Sequence, residues 1–395
     1  MKSQRRFDFL SRISSQDSRA DELRAGRRGA FRLAAAGMLF GASGLFGRKA
    51  DAEEAAEALP DIPAGRTHVL ESTKDTVSSG VLDPSRAAAL TIDSGDIVHY
   101  PNTWTVWGNE ARYGLSFEER EPIRKRYPSG PYSNVGPVAV RGAEPGDVLE
   151  MRWLKLQPID WGWNSFPLGV GALPSDFDKP YVHYFRFDAE RRNAAFVDGV
   201  TIPLAPFQDI AAVQPPGDKP VSGILAGAYG GNLALPEMVA GTSLLLPVQR
   251  SGGLFWTSAS VAAQGDGVVD QTGIETAMED MRIQFVLHKN VPLDGPMVET
   301  PSHWIGFGFA TDTLDAALVA CLRGMIKWTS RVAKLDPRDV YPLCSMAASF
   351  RVTQYSNQTG SVYTSVPPRA VHCMLPKSVF SPALRVAMAQ SARSS

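Results

Sequence analysis

The stretch VAAQGDGVVDQTGIE, Val261 to Glu275, has the look of a catalytic loop, two glycines around an aspartate with glutamine and glutamate close by. Gly265 and Gly267 let the backbone approach a ligand closely. Asp266 between them can accept hydrogen bonds, bind a cation or act as a base. Gln264 precedes this turn and Glu275 closes the stretch, yet it holds no histidine and no cysteine. The plainer alternative is a Gly-Asp-Gly turn in which Asp266 caps its own backbone, and composition alone favours it.

Other chemistries lack local support. The six histidines, His68, His99, His183, His288, His303 and His372, form no H-x-H or H-E-x-x-H zinc motif. There is no P-loop and no dinucleotide-binding glycine signature; GAYGGN is a glycine-rich turn with no helix pattern after it. No G-x-S-x-G elbow is present, and Ser258 and Ser260 have no histidine or lysine close in sequence. Cys321, Cys344 and Cys373 are too few for a disulfide framework, and Cys321 and Cys344 fall on apolar helix faces, where a thiol packs as a small hydrophobe. Histidines other than His68 read as surface or satisfied core residues. Trp153, Trp161, Trp163 and Trp304 read first as packing.

The elements that must position the loop come in two kinds. From about Thr67 to Arg250, short aliphatic and β-branched runs alternate with turns such as Gly95-Asp96, Gly146-Asp147 and Asp198-Gly199. The 29 prolines and 35 glycines suit this turn-rich pattern. Helices come late. Leu314, Ala317, Leu318, Cys321, Leu322, Met325 and Ile326 recur at helical spacing, with Asp312 or Thr313 placed to cap. A second helix follows, with Asp336 as N-cap and Pro337 at the first position. Ile283–Leu287 and Phe350–Gln354 read as strands. The expected fold is β-rich α+β: a β-sandwich or barrel-like domain over 67–220, then a mixed α+β region over 221–385 that carries the QGDG loop and the two helices, with a tail at 386–395. A Pro/Gly-rich loop within one domain would look the same at the boundary.

Residues 1–52 hold 11 Lys/Arg against 5 Asp/Glu, leaving 29 against 36 in the remainder. That remainder would repel phosphate, so nucleic acid is not an expected partner. Arg27 and Arg28 precede an uncharged run from Leu33 to Gly47, shorter than the ~20 apolar residues that span a bilayer. The pattern resembles a twin-arginine export signal, with Ala50-Asp51-Ala52 as cleavage site and 53–66 as linker. The expectation is export to a bacterial periplasm, with no stable membrane insertion after cleavage.

Four blocks carry a wider resemblance: GPVAVRGAEPGDVLEM, GGNLALPEMVAGTSLLLPVQRSGGLFW, AAQGDG and VETPSHWIGFGFATDTLDAAL. With them the chain resembles the acetamidase/formamidase family, enzymes that hydrolyse small linear amides to a carboxylate and ammonia, over about residues 67–380. That resemblance implies a hydrolase of non-peptide carbon–nitrogen bonds. It would use Asp266, Glu275 and Gln264 for chemistry, Gly265, Gly267, Asn232 and Glu299 for binding, and His68 with Asp266 for a divalent metal such as zinc. A small amide or related ligand is the expected partner, and a homo-oligomer is compatible.

Five polar positions of the family are exchanged. Ala259 stands where the family has Asp, Val261 where it has His and Val268 where it has Glu. Tyr132 replaces a His four residues before Gly136-Pro137, and Ala234 replaces an Asp after Gly-Gly-Asn-x. Val261 and Ala259 can hold no metal, and the exchanges make a pocket there drier and more apolar. Beside the hydrolase stand two alternatives: an exported, catalytically inactive homologue that binds a small apolar amide-like ligand, and a structural or assembly role.

Overall fold

The computed structural model describes residues 62–355 and 361–394; the expected export signal and cleavage site lie outside the described residues. In chain order the elements used below are β1 (Thr67–Val69), β2 (Ile97–Tyr100), α1 (Phe117–Arg124), β3 (Ser133–Val140), β4 (Val148–Pro158), β5 (Trp161–Phe166), β6 (Tyr181–Arg186), β7 (Phe207–Ala212), β8 (Gly230–Asn232), β9 (Ser243–Pro247) and β10 (Phe255–Ala263). They continue with β11 (Ile274–Glu275), β12 (Met278–His288), β13 (Met297–Glu299), β14 (His303–Ala310), α2 (Leu314–Ala333), α3 (Pro337–Ala347), β15 (Ser349–Gln354), β16 (Arg369–Pro376) and α4 (Pro382–Ser391).

Among the described residues, two large sheets dominate. The nine-stranded sheet runs β1-β2-β12-β4-β9-β13-β14-β16-β15. In the ten-stranded sheet the path passes β8-β7-β10-β11-β5-β6, and β3 pairs with β10 as well. Side chains from both sheets meet in one core: Val135, Phe207 and Phe255 from one, Met151, Trp153 and Phe285 from the other. Phe255 and Phe285 meet edge-on with ring centroids 5.2 Å apart, the geometry favoured by the ring quadrupole. This is the sandwich the alternating runs predict. The boundary expected near residue 220 does not part the sheets, because each takes strands from both sides of it. Strand pairing is non-local, and a loop rich in Pro and Gly marks a turn equally well inside a domain.

Helix α2 lies on β14 and β16. Its buried stripe is Ala317, Cys321, Met325, Trp328 and Val332, while Leu318 is 41% exposed. Thr313 caps it, its hydroxyl accepting from Ala316 N at 3.0 Å. The close approach needs Gly308: a Cβ there would sit 2.2 Å from Ala317 O and from Cys321 N. Asp336 caps α3 by accepting from Arg338 N, with Pro337 next. All three cysteines are buried and unbonded to one another.

The chain end is not a tail. Helix α4 runs to Ser391, and Arg393 inserts its guanidinium between Glu150 and Glu299, 2.8 Å from each. Glu299 also accepts from Lys377 at 2.7 Å, and Glu150 from His288 at 2.7 Å. A buried carboxylate is tolerable only when so paired, which fixes these last residues to the sheet.

Candidate active site

Residues Val261 to Glu275 form a hairpin. Strand β10 ends at Ala263, β11 begins at Ile274, and residues 264–273 connect them. Glu275 pairs with Val261 of β10 on one side and with Trp163 of β5 on the other. Its side chain therefore belongs to the row Phe207, Val261, Glu275, Trp163 that crosses the ten-stranded sheet.

That row places Glu275 at a cavity of about 80 Å³ whose wall also carries Trp107, Arg120, Arg124, Tyr132 and Tyr363. Glu275 is half-buried and lines the cavity. Burial pushes its carboxyl up to about 7, against the pull of the Arg120 charge and with help from Asp270. A second, smaller cavity of about 10 Å³ separates Glu275 from Ala259, close to the volume one water needs. Burial also raises the Tyr132 phenol well above its ordinary value, the charges of Asp209 and Glu275 adding and Asn232 opposing by a hydrogen bond. Asp209 is likewise raised well above the carboxylate range, first by burial and then by Glu275. The site thus holds two carboxyls that resist ionisation and a phenol that keeps its proton.

Helix α1 supplies the cations. Ser116 caps it in a reciprocal box with Glu119, which fixes the helix start. Phe117, Arg120 and Arg124 then fall on one face, and that face turns inward: Arg120 is 2% and Arg124 6% exposed. Arg120 donates to Tyr184 Oη at 3.1 Å and Ser165 Oγ at 3.4 Å, and lies over Trp107 and Trp163 at 4.9 and 5.3 Å from their ring centroids. Arg124 pairs with Glu121 at 2.6 Å. Sequence alone does not single out this helix, because a charged stretch reads as a solvated face; the signal it carries is the Ser116–Glu119 box followed by two arginines at helical spacing.

The other side of the hairpin holds a different cluster. Asp266 lies 3.4 Å from Arg351 and 4.0 Å from His372 Nε2. Arg351 also reaches Glu237 at 3.5 Å. Gly267 N donates to Thr353 O at 3.1 Å and Tyr355 N to Gly267 O at 2.8 Å, which seats the Gly-Asp-Gly turn on the end of β15. Glu237, Asp266 and His372 each offer one ligand atom within 4.8 Å of the others. His372 Nε2 is buried without a hydrogen-bond partner, while Nδ1 contacts Thr353 Oγ1 at 2.9 Å. Burial lowers its imidazole to about 4, Asp266 opposing and Arg351 adding, so it is neutral and able to ligate. Two carboxylates and a neutral imidazole fit a divalent cation such as zinc. They form a ligand set unlike the one expected.

His68 lies away from this cluster. It is bound to Asp96 at 2.7 Å on β1, the edge of the nine-stranded sheet opposite β15 and β16. It cannot share an ion with Asp266. Glu299 is equally distant in role: it is 2% exposed and saturated by Lys377 and Arg393, so it binds no ligand. Asn232 stands behind Tyr132 rather than on the cavity wall. Gln264 donates to Ala234 O at 3.0 Å, bracing the loop. Gly265 borders open space, and Gly267 has φ +93°. Asp266 and Glu275 lie on opposite sides of the hairpin, and no described cavity has both on its wall.

Three of the exchanged positions keep left-handed backbone: Ala234 at φ 49°, Ala259 at 55° and Val268 at 43°. Asp and Asn visit this region far more readily than alanine or valine.

Solved structures share this architecture. An acetamidase from Bacillus halodurans superposes with TM-score 0.70 at 24% identity, over 79% of this chain and 98% of that one. An acetamidase from Yersinia enterocolitica gives 0.70 at 22% identity, over 82% and 94%. A gamma lactamase from Delftia acidovorans gives 0.55 at 17% identity, over 80% and 94%. No protein-family model matches the sequence, and no curated protein matches it. The chain has the fold of the acetamidase/formamidase structures, and its resemblance to that family rests on this shared architecture.

Proposed function

We propose that the protein hydrolyses the carbon–nitrogen bond of small linear amides in the Glu275 cavity, releasing ammonia and a carboxylate. The observation that carries this reading is Glu275: a carboxyl at about 7, on the wall of a cavity, beside space for one water. At that value it exchanges protons in either direction near neutral pH. Ionised Glu275 takes a proton from water as the oxygen attacks the carbonyl carbon, and the carbonyl electron pair moves onto oxygen. Tyr132, held protonated, is the donor for that oxyanion. Glu275 then returns the proton to nitrogen as the C–N bond breaks, leaving carboxylic acid and ammonia. Burial, with the charges of Asp209 and Glu275 adding, keeps Tyr132 in its neutral form.

The Glu237–Asp266–His372 set would hold a divalent cation on the far side of the hairpin, where the ion's charge would draw the loop onto β15 and β16. No step above depends on it.

A ligand-binding protein without turnover is the second reading, favoured by Val261 directly opposite Glu275, where a histidine would have made a second proton carrier. Ammonia release from formamide, acetamide, propionamide and butyramide separates the two. The hydrolase reading expects turnover that is lost by at least a factor of about 100 in Glu275→Gln and survives Asp266→Asn. Absence of turnover on every amide from the folded chain rejects it.

A further inference from the structure

The exchanges at 259, 261 and 268 point toward an apolar pocket, yet the cavity wall carries two buried guanidiniums. Arg124 has Glu121 as counter-ion. Arg120 has none: its two hydrogen-bond partners, Tyr184 and Ser165, are neutral, and among the described residues no carboxylate lies within 4.0 Å of it. A guanidinium has five N–H donors, so three remain for whatever enters the cavity. The aromatic faces of Trp107 and Trp163 fix its plane, which pre-orients a fork suited to a carboxylate.

Glu275 does not fill that role. With its carboxyl at about 7 it carries its charge only part of the time at neutral pH, despite Arg120. A buried cation lacking a full counter-charge is costly unless a ligand brings one.

We infer that the substrate of this cavity is an acidic amide, a short chain with a carboxylate at one end held by Arg120 and the amide at the other end facing Glu275. This deepens the hydrolase reading and rests on it for the fate of the amide, though the recognition of the carboxylate stands apart from turnover. Size agrees: about 80 Å³ of cavity gives room for roughly five to eight water-sized positions, the scale of the half-amide of a three- or four-carbon dicarboxylic acid.

The probes are succinamate and butyramide, alike in length and differing in the terminal carboxylate. Calorimetric binding and ammonia release are measured for each on the full chain, unmodified and as Arg120→Met and Arg120→Lys. Succinamate is expected to bind about 100-fold tighter than butyramide. Arg120→Met removes that preference, read as the ratio of succinamate to butyramide affinity, and Arg120→Lys restores part of it. Equal affinity of the two probes for the unmodified chain, or no succinamate binding at about 10 mM, overturns the inference whether or not the variants fold. Preference for succinamate without ammonia release sustains the inference and rejects the hydrolase. Turnover of butyramide without preference does the reverse.

Discussion

Val261 stands directly across from Glu275 in the antiparallel pair of β10 and β11, so the residue facing the perturbed carboxyl is an aliphatic one. Directly opposed side chains in such a pair have Cβ atoms about 5 Å apart, within reach of an imidazole. Val261→His is expected to raise amide turnover by at least about tenfold, because a second proton carrier joins Glu275. It should also draw the Glu275 ionisation downward, read as an acid shift of the pH–rate profile. Unchanged rate and profile would mean the two side chains do not communicate.

The pH dependence follows from Glu275 itself. Its value rises from 4.5 to about 7 on folding. As a base it must be ionised, so kcat/KM is expected to increase with pH through about 7 and level off above. Stability runs the other way. Between 4.5 and 7 the folded state keeps a proton that the unfolded chain releases, so stability falls as pH rises through this window and is flat beyond it. Glu275→Gln removes that slope and gains on the order of 3 kcal/mol at pH 8 relative to the parent. Urea unfolding of both proteins at pH 5 and pH 8 checks the sign.

Arg351 competes with any cation for Glu237 and Asp266, lying 3.5 and 3.4 Å from them. Removing its charge from the half-exposed cluster should tighten zinc binding about tenfold or more, given the strength of unit charges at this range. Competition of Arg351→Gln and the parent against a zinc indicator measures this. Asp266→Asn in the same assay is expected to weaken zinc. Indifference to both substitutions would sink the assignment of the ligand set.

Arg393 joins the chain end to two buried carboxylates. Arg393→Met leaves Glu150 and Glu299 to Arg152, His288 and Lys377, at an expected cost of about 3–5 kcal/mol at neutral pH. Burial alone would raise Glu150, but hydrogen bonds from His288 and Arg393 and the charges of Arg393 and Arg152 hold it well below the carboxylate range. Stability from such a depressed carboxyl is present above its unfolded value of 4.5 and is lost as pH falls toward the folded one. The deficit of Arg393→Met should therefore shrink in acid, as thermal unfolding at pH 3 and pH 7 would show.

What the sequence by itself determined is local. The alternating runs specify strands that form a sandwich, the helical spacing of Ala317, Cys321 and Met325 specifies α2, and Thr313 and Asp336 specify where two helices start. The Gly-Asp-Gly turn and Glu275 were legible too, because glycines flanking an acidic residue are visible within a few positions. Each of these depends on neighbours in the chain. Only the tertiary structure decided that Glu275 faces Arg120 and Tyr132, while Asp266 faces Glu237, Arg351 and His372. Those partners come from segments joined by sheet register, over separations that no spacing rule encodes. His68 shows the converse: a histidine that matches by position is carried to the far sheet edge by the parallel pairing of β1 with β2. Arg120 was hidden for a further reason. Charge predicts exposure from sequence, and that rule fails where a helix turns its cations into a cavity.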